Sequence, residues 1–423
     1  MKFGIGVVAL VAAGIFGLSS AAAEKASPEE LEKLFREGMQ ALETGRLKQA
    51  QELFQTILSM EPSLHRARLE LAMAYYRALN YEKARELAEI VLRDPQTPPE
   101  VRVTINAFLA QVEADSRRLG QKHQWRGSLA LGAMHDTNVN VGPSSDFVTD
   151  TLRLVPGSTA RSDNAVTITG VLSHTWNPGK RVDVGQRTGM LLWQSQLGLY
   201  HREYNHEDDF NLSVASLSTG PAIVVPGFWR GKLNLRFDDI YLGGSHLALL
   251  TAIEPLATWQ FGDTEVTVDA SLGDRDYRDD QDGGREGTER KAGVSVAQYF
   301  MNRKLAVQAG LRWHDFNADD DQWGYDGPEV YLGAQTRAWR NGLLYARVAQ
   351  RDFAYDAVFP GFAQARDDRT REFTAGFRHD FRGGHLDKWQ IRGSVLRIIN
   401  GSNLGIFRYD RTQLQLTIGR DFQ

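Results

Sequence analysis

The sequence predicts an N-terminal tetratricopeptide-like helical domain followed by an antiparallel transmembrane β-barrel of about fourteen strands. Three observations lead to this fold class. The first part of the chain has helical periodicity, the rest alternates apolar and polar residues between turns, and the chain opens with an export signal. Its 423 residues also exceed what one compact core accommodates, which favours at least two domains.

Residues 1–23 have the form of a secretory signal peptide. Lys2 supplies a positive charge ahead of an apolar run, and Ala21–Ala23 forms a cleavage site. A buried helix is the alternative interpretation. Beyond this segment the chain has no apolar run of about 18 residues, so we expect no transmembrane helix. An exported membrane protein of this kind must span as a closed barrel, because open sheet edges are not tolerated in lipid.

The composition excludes several classes of function. A formal net charge of −4 gives no support for a nucleic-acid partner. The absence of cysteine rules out disulfides, thiolate zinc sites, cysteine nucleophiles and the lipid-modified cysteine of a lipoprotein. The histidines are scattered, and nothing marks a catalytic Ser/His/Asn set such as that of a barrel phospholipase. We therefore expect no enzymatic activity, no cofactor and no metal site.

A repeat of 34 residues is visible in the helical part, residues 24–118. Five positions recur at that distance: Gly38, Ala41, Ala50, Phe54 and Ile57 become Ala72, Tyr75, Ala84, Ala88 and Val91. Small residues at the first and third positions let the two helices of a hairpin approach closely. The pattern resembles the tetratricopeptide repeat. That resemblance implies two repeats, closed by a fifth helix from Pro99 to Arg118.

Such a solenoid offers a concave docking face lined by side chains of the first helix of a repeat. The candidates for binding a partner on this face are Arg68, Tyr75, Tyr76 and Leu79. Packing of Tyr75 between the helices is the alternative.

The barrel part, residues 119–423, consists of alternating segments. In Trp229–Asp238 the odd-numbered residues are apolar or glycine and the even-numbered ones polar or charged, and Thr264–Leu272 and Lys304–His314 also alternate. Successive side chains of a strand point to opposite faces, so each segment has one apolar and one polar face. About fourteen strands begin near Gln124, Ala165, Thr188, Asn211, Trp229, Leu247, Thr264, Arg290, Lys304, Pro328, Leu343, Arg371, Lys388 and Gly405.

The strand ends and connections favour a membrane barrel over a soluble sandwich. Connections after odd-numbered strands are long or acidic, including Asp274–Glu289, Phe316–Gly327 and Asp356–Thr370, whereas most others are short. A sandwich would have to bury charged residues or expose rows of Leu, Val and Trp to water. Aromatic residues cluster at strand ends, as interfacial girdles require: Trp125, Trp176, Tyr200, Trp229, Trp259, Tyr299, Trp339, Phe381, Trp389 and Phe422.

An even number of strands puts both ends of the barrel on one side, which places the helical domain in the periplasm. In the last strand Leu414, Leu416 and Ile418 face lipid, so Arg420 on the same face must lie at the periplasmic rim.

The predicted luminal face carries many cations: Arg230, Lys232, Arg236, Arg312, Arg347, Arg351, Arg378 and Arg392. They either pair with luminal carboxylates such as Asp238, Asp269 and Asp380, or favour an anionic or extended polypeptide cargo. The acidic run Asp274–Glu289 does not follow the residue order of an EF-hand. We interpret it as a solvated loop, with divalent ions or a basic partner as the alternative.

A polar motif follows the first strand. His135 precedes Asp136, Asn138 and Asn140, which stand at every second position. This pattern is typical of an Asx-rich turn. The alternative is a rim element that orders the long first loop or contacts a passenger, and these four residues are candidates for that contact.

This order of parts, with a first strand that leads into Asp136-Thr137-Asn138-Val139-Asn140, resembles the surface lipoprotein assembly modulators of Gram-negative bacteria. The resemblance covers the mature chain. It implies an outer-membrane translocon that delivers a lipoprotein or other secreted protein to the cell surface. Periplasmic chaperones, outer-membrane lipids and the barrel assembly machinery are then expected partners. A polysaccharide-export porin or a general diffusion porin is the alternative, and passage through the lumen or along the seam between the first and last strands stays open.

Overall fold

The computed structural model describes residues 27–146, 153–155, 157–279 and 282–422. The predicted signal peptide lies outside these residues. The chain divides into two compact units at Glu113 and Ala114. The predicted fold class is confirmed, because helices of tetratricopeptide type precede a closed antiparallel barrel of fourteen strands.

From residue 27 onward, five helices precede the barrel: α1 (Pro28–Glu43), α2 (Leu47–Met60), α3 (His65–Arg77), α4 (Tyr81–Arg93) and α5 (Pro99–Gly120). The Oγ of Ser27 accepts a hydrogen bond from the Glu30 N–H at 3.2 Å and so caps α1. The side chain of Asn80 caps α4 in the same way, through the Lys83 N–H at 3.3 Å. Between α1 and α2, Gly45 has a φ of 73°, which glycine adopts without steric cost.

The 34-residue repeat is the packing pattern of these helices, since all ten of its positions are buried. A Cβ atom on Gly38 would lie 2.8 Å from Cε1 of Phe54, so α1 and α2 approach too closely for a side chain there. Ala72, at the equivalent position of the second repeat, is fully buried against Ala88 and Val91. The small residues therefore set the spacing of the helices, as the repeat predicted.

Among the described residues the β-sheet has fifteen strands: β1 (His123–Asp136), β2 (Asp163–Trp176), β3 (Arg181–Val184), β4 (Arg187–Tyr204), β5 (Leu212–Val225), β6 (Trp229–Leu242), β7 (Ser245–Phe261), β8 (Thr264–Tyr277), β9 (Gly287–Phe300), β10 (Leu305–Ala318), β11 (Tyr325–Trp339), β12 (Gly342–Val358), β13 (Ala365–Asp380), β14 (Trp389–Ser402) and β15 (Tyr409–Phe422). The four-residue β3 pairs only with the start of β4, while β2 pairs with the rest of β4. The barrel wall therefore has fourteen strands, as predicted.

The barrel closes where β1 pairs antiparallel with β15 over ten residue pairs. We call this pairing the seam. Both strands reach the same edge of the barrel, which carries His123 and Phe422 and is called the near rim. The opposite edge, which carries Asp136 and Tyr409, is called the far rim.

Several connections at the far rim are shorter than the sequence predicted. β8 continues to Tyr277 and β9 begins at Gly287, so much of the predicted loop Asp274–Glu289 is strand. The predicted loops Phe316–Gly327 and Asp356–Thr370 are shortened in the same way. The backbone ladder continues where both faces of a strand become polar, because its hydrogen bonds do not depend on the side chains. Acidic composition therefore marked the edge of the apolar surface rather than the end of a strand.

Two other boundaries differ from the predictions. The strand expected from Gly405 begins at Tyr409, and Gly405–Phe407 forms a turn of 3₁₀ helix instead. At the far rim, β6 and β7 are joined only by Gly243 and Gly244, whose φ values are 56° and 81°. Glycine permits such a two-residue turn. The alternation of long and short loops is consequently weaker than predicted.

Candidate functional site

The outer surface of the barrel is apolar. Exposed hydrophobic side chains cover it on strand after strand: Leu129, Leu131, Ile168, Leu199, Leu233, Ile253, Leu272, Val294, Leu311, Leu332, Val348, Phe373, Leu414 and Leu416. A continuous apolar surface of this extent is costly in water and typical of a barrel that faces lipid.

The near rim carries an aromatic girdle. Nine of the ten predicted girdle residues lie at strand ends on this rim. The tenth, Tyr200, was predicted wrongly. It lies toward the far rim and shares a strand face with Tyr204, which points into the barrel. Arg420 lies at the near rim as predicted, with its guanidinium 5.9 Å from the ring centre of Trp389 and 5.8 Å from that of Phe422. Such a position lets a charged group reach the interface.

No helix among the described residues combines the length and the apolar character needed to cross a membrane.

One half of the lumen is lined by ion pairs. The predicted partners are found: the Nε of Arg236 lies 2.7 Å from a carboxylate oxygen of Asp238, and Nη2 of Arg312 lies 2.8 Å from one of Asp269. Arg378 pairs with Asp380 at 2.6 Å. These luminal arginines are therefore largely neutralised by their neighbours rather than left free to attract anionic cargo.

Glu329 is the centre of the densest of these clusters. It is 3% exposed, and its carboxylate oxygens lie 2.8 Å from Nη2 of Arg347 and 3.1 Å from Nε2 of His314. Arg351 adds a contact at 3.4 Å and also binds Glu372 at 3.3 Å. The cluster crosslinks β10, β11, β12 and β13 on the inside of the wall.

The other half of the lumen, formed by β15, β1, β2, β4 and β5, has a different lining. Along the middle of these strands the inward side chains are uncharged, with Gln196 and Gln415 the longer ones. Most are small, and we call the surface that the small ones form the smooth wall: Ser128, Ala130, Gly132, Thr167, Thr169, Gly198 and Ser216. At Gly132 a Cβ atom would lie 2.7 Å from Oγ1 of Thr167 and 2.9 Å from the Leu416 carbonyl oxygen. A side chain at this position would therefore clash with its neighbours on β2 and β15.

The far end of the seam is held by a buried carboxylate. Asp136 is fully buried, and its Oδ2 accepts hydrogen bonds from Nη2 of Arg411 at 2.6 Å and Nε2 of Gln413 at 2.7 Å, both on β15. The Tyr204 hydroxyl donates to the same atom at 2.8 Å from β4, across the lumen side of β2. We call this group of four side chains the seam clasp. Charge-assisted hydrogen bonds are the stronger class, so the clasp ties three strands together where β1 ends.

The remaining residues of the predicted rim motif extend this attachment. Asn138 is also fully buried; its Nδ2 donates to the Gly142 carbonyl at 2.8 Å and to the Asp410 carbonyl at 3.0 Å. Asn140 joins the two ends of the first loop, because Nδ2 donates to the Thr159 carbonyl at 3.0 Å. The motif therefore orders the start of the loop from inside the protein.

His135 differs from the rest of the motif. Its Nδ1 lies 2.9 Å from Oδ1 of Asn164 on β2, at an exposed position on the outer face. The structure brings Asp136 and Asn138 together and leaves His135 on the other side of the strand. A contact between any of these residues and a passenger stays a prediction.

Sequence reasoning identified Asp136 but not its partners Arg411, Gln413 and Tyr204. It also missed Asp163, a buried carboxylate beside Asp136 in the β1–β2 register that accepts the backbone N–H groups of His206 and Glu207 at 2.7 and 3.0 Å. The one available signal was that these polar residues lie near the ends of predicted strands.

In the helical unit, the predicted partner-binding residues do not form one surface. Tyr75 is 8% exposed and packs between helices, with its hydroxyl accepting from Nε2 of Gln55 at 2.8 Å. Leu79 is also buried. Tyr76 makes edge-to-face ring contacts with Tyr81 and Phe108 at 5.8 and 5.5 Å.

Arg68 lies at the other end of α3 from these residues. Its guanidinium contacts Nδ1 of His65 at 3.0 Å and donates to the Pro62 carbonyl. A docking role for any of the four residues stays a prediction.

The acidic loops were considered above as possible sites for divalent ions. Within the described ranges, no group of three or more His, Asp or Glu side chains is arranged to hold a metal ion. Several of these acidic residues instead pair with arginine, as Asp276 does with Arg278 at 2.9 Å and Asp282 with Arg285 at 3.0 Å.

Comparison with known proteins supports the helical part. A tetratricopeptide repeat model matches residues 41–111, which span α2, α3 and α4 and most of the fifth helix. No curated protein sequence matches the chain.

Solved structures that resemble the barrel include OccK8 (OprE) of Pseudomonas aeruginosa, OccAB4 of Acinetobacter baumannii and an anion-selective porin of Comamonas acidovorans. Their identities to this chain are 9%, 7% and 12%, and their TM-scores are 0.36, 0.36 and 0.38. Each comparison covers 71% of this chain and 98%, 99% and 99%, respectively, of the matched chain. At these scores the likeness carries no argument about function.

Proposed function

We propose that this protein is an outer-membrane translocon that delivers a protein substrate, such as a lipoprotein, to the cell surface. The observation that carries the proposal is the smooth wall, in a barrel whose chain also contains a tetratricopeptide unit. Solenoids of helical repeats offer extended concave surfaces for binding a partner. An extended polypeptide needs a polar passage that neither holds its charges nor blocks its side chains, and the smooth wall has both properties.

The outer surface of the barrel supports a location in the outer membrane. The apolar exterior places the barrel in a bilayer, and exported barrels of this kind reside in the outer membrane. The near rim, where β1 begins and β15 ends, then faces the periplasm together with the helical unit. Periplasmic chaperones would bring the cargo to that unit, and the barrel assembly machinery would insert the chain among the outer-membrane lipids. The proposal includes no catalytic step and no cofactor.

A pair of neighbouring substitutions tests this role of the smooth wall. Ala130→Trp puts a large ring into the lumen, whereas Leu129→Trp puts the same ring on the exposed outer face of the same strand. In cells that lack the gene, we expect wild type and Leu129→Trp to restore the exposure of a surface protein, and Ala130→Trp to reduce it several-fold. Protease treatment or antibody labelling of intact cells measures this exposure.

Two outcomes contradict the proposal. If deletion of the gene leaves every surface protein as accessible as before, the chain delivers none of them. If Ala130→Trp delivers as well as Leu129→Trp while both barrels are equally abundant, the smooth wall is not the path.

Export of a polysaccharide is the second candidate, favoured by aromatic side chains that line the lumen near the far rim. Tyr325 stacks on Phe353 with ring centres 4.6 Å apart, and Tyr355 lies 5.5 Å from Tyr325. The buried ring of Phe316 packs behind them, 5.5 Å from Tyr325. Aromatic faces suit sugar rings as well as peptide side chains. Loss of a surface polysaccharide, rather than a surface protein, on deletion of the gene would favour this candidate. A general diffusion porin would instead show steady conductance in a planar bilayer, unchanged by removal of residues 24–118.

A further inference from the structure

The outer face of β11, β12 and β13 has a groove within the apolar surface. It encloses about 350 Å³ and is lined by Val330, Leu332, Val348 and Phe373. Gln350 and Arg371 close it on the side of the far rim. A groove with this lining accepts a hydrocarbon chain, and its polar end accepts a head group.

Arg371 is an exposed arginine with unused donors. Its Nε donates to Oε1 of Gln350 at 3.3 Å, and no carboxylate among the described residues lies within ion-pair distance of it. A charge on the lipid face of a barrel costs about 2–4 kcal/mol at the midplane of the bilayer and about 0–1 kcal/mol near the interface. An arginine without a counter-ion on this face therefore belongs at the level of the head groups.

The length of β13 places Arg371 at that level. Phe381, in the aromatic girdle of the near rim, follows Arg371 by ten positions in the sequence. At a rise of ~3.4 Å per residue and a tilt of about 40°, this separation corresponds to ~26 Å along the membrane normal. The apolar band of such barrels is about 25 Å tall, so Arg371 lies one hydrophobic thickness from the girdle, at the outer interface.

A second arginine lies close to the first. Arg397 on β14 is opposite Phe373 in the register, and Arg371 is opposite Ile399, which makes the two arginines diagonal neighbours. The Cβ atoms of such neighbours are about 7–8 Å apart, a spacing at which two guanidinium groups reach one phosphate. Arg397 also binds Asp410 at 3.0 Å.

Polar side chains surround this pair on the outer face. Asp352 binds Arg369 at 2.5 Å and also accepts from Gln350 at 2.7 Å. These groups, with Thr412 beside Arg397, offer hydrogen bonds of the kind that sugar hydroxyls use. A phosphorylated sugar can use both the guanidinium groups and these hydrogen-bonding side chains. A simple phosphodiester has fewer groups that can bind to them.

We propose that this groove binds a phosphorylated glycolipid of the outer leaflet, with a phosphate on Arg371 and Arg397 and one acyl chain between Val348 and Phe373. The site rests on the outer-membrane location proposed above but is independent of what the barrel transports. The bound lipid would fix the depth and rotation of β11–β13 relative to the leaflet.

The test measures lipid retention by the full-length protein, purified in detergent, with native mass spectrometry. The probes are diphosphoryl lipid A, the same glycolipid with both phosphates removed, and phosphatidylglycerol. We expect diphosphoryl lipid A to bind most tightly. Arg371→Gln and Arg397→Gln should each weaken it about tenfold, because a hydrogen bond between charged groups contributes roughly that factor. Phe373→Ala should weaken it while preserving the preference for phosphate.

The matched control is Arg290→Gln, which removes an exposed arginine on the outer face of β9, outside the groove. Like Arg397, Arg290 has a carboxylate partner, Asp315 at 3.9 Å, so the two variants differ in position rather than in pairing. Heat-modifiable migration on gels confirms that each variant is folded. Equal affinity of Arg371→Gln and wild type, or equal affinity for the dephosphorylated glycolipid, would overturn the site. Equal affinity for phosphatidylglycerol would overturn its assignment to a glycolipid. The lipid-binding test contains no cargo, so a negative result in it does not contradict the proposed delivery function. A negative result in the delivery experiment likewise leaves the lipid site untouched.

Discussion

At the scale of single residues, the seam clasp depends on one carboxylate. Asp136 is fully buried and pairs with the guanidinium of Arg411, whose side chain is only 15% exposed. Each of the two charges is tolerated inside the protein because the other is present. The clasp therefore makes a strong prediction about stability.

We expect Asp136→Ala to destabilise the barrel by about 3–5 kcal/mol, because it leaves a buried charge without its counter-charge. Asp136→Asn should cost less, since the amide oxygen still accepts one hydrogen bond. The loss of heat-modifiable migration with temperature measures both. His135→Ala is the control, because its side chain is exposed and should change the melting temperature little. A barrel that melts alike with Asp136→Ala and His135→Ala would contradict the role of the clasp.

The clasp also shows what sequence reasoning misses at this scale. The spacing of Asp136, Asn138 and Asn140 marked the motif, but nothing local indicated its partners. Tyr204 is 68 positions and Arg411 275 positions from Asp136. The contact between Asp136 and Arg411 exists only once the first and last strands pair in one particular register, which depends on closure of the whole barrel.

At the scale of elements, the strands were easier to predict than their ends. Alternation with period two is imposed by the lipid on one side and the lumen on the other, so most strand starts lie within a few residues of the predicted ones. The start of β13 was predicted six positions too late, at Arg371 instead of Ala365. Where a strand extends beyond the lipid, its outer face no longer has to be apolar, although the backbone hydrogen bonds continue. The alternation that locates the strand in the sequence therefore disappears there.

The helices offer a prediction about pH at the end of α4. Asp94 accepts hydrogen bonds from Nε2 of His65 at 2.6 Å and from the Gln96 N–H at 2.8 Å. The hydrogen bond with His65 is the main reason that the pKa of Asp94 lies below its ordinary value. A lowered pKa in the folded state means that the ionised carboxylate stabilises this helix pair at a pH above the unfolded pKa of about 3.9. The stabilisation is lost as the pH falls through the folded pKa.

We therefore expect Asp94→Asn to lower the melting temperature of the helical signal at pH 6. The difference from wild type should shrink as the pH falls below about 4 and disappear once the pH is below the folded pKa of Asp94. Circular dichroism at 222 nm on the full chain in detergent measures this. Glu89→Gln, which removes an exposed partner of Arg93 on the same helix, is the control and should have little effect. A constant difference between Asp94→Asn and wild type across this pH range would contradict the assignment.

At the scale of the whole molecule, the barrel is asymmetric around its circumference. Ion pairs hold one half of the wall together from the inside, while the smooth wall is held by backbone pairing and by the seam clasp at one end. The seam lies within the smooth wall. For the passenger proposed above, two routes are therefore neighbours in space: along the lumen beside β1, or laterally between β1 and β15.

We expect the proposed passenger to use the lumen, and a crosslink distinguishes the two routes. Leu131 and Ile418 are directly paired across the seam on the outer face, so Leu131→Cys with Ile418→Cys places two thiols within disulfide reach in a chain without other cysteines. Ile391→Cys with Ile418→Cys makes the matched crosslink between β14 and β15. Because ten residue pairs and the clasp already hold the seam closed, we expect both oxidised variants to deliver cargo at the wild-type level in the protease assay on intact cells. Loss of delivery in the seam variant alone, reversed by reduction, would show that the passenger passes between β1 and β15.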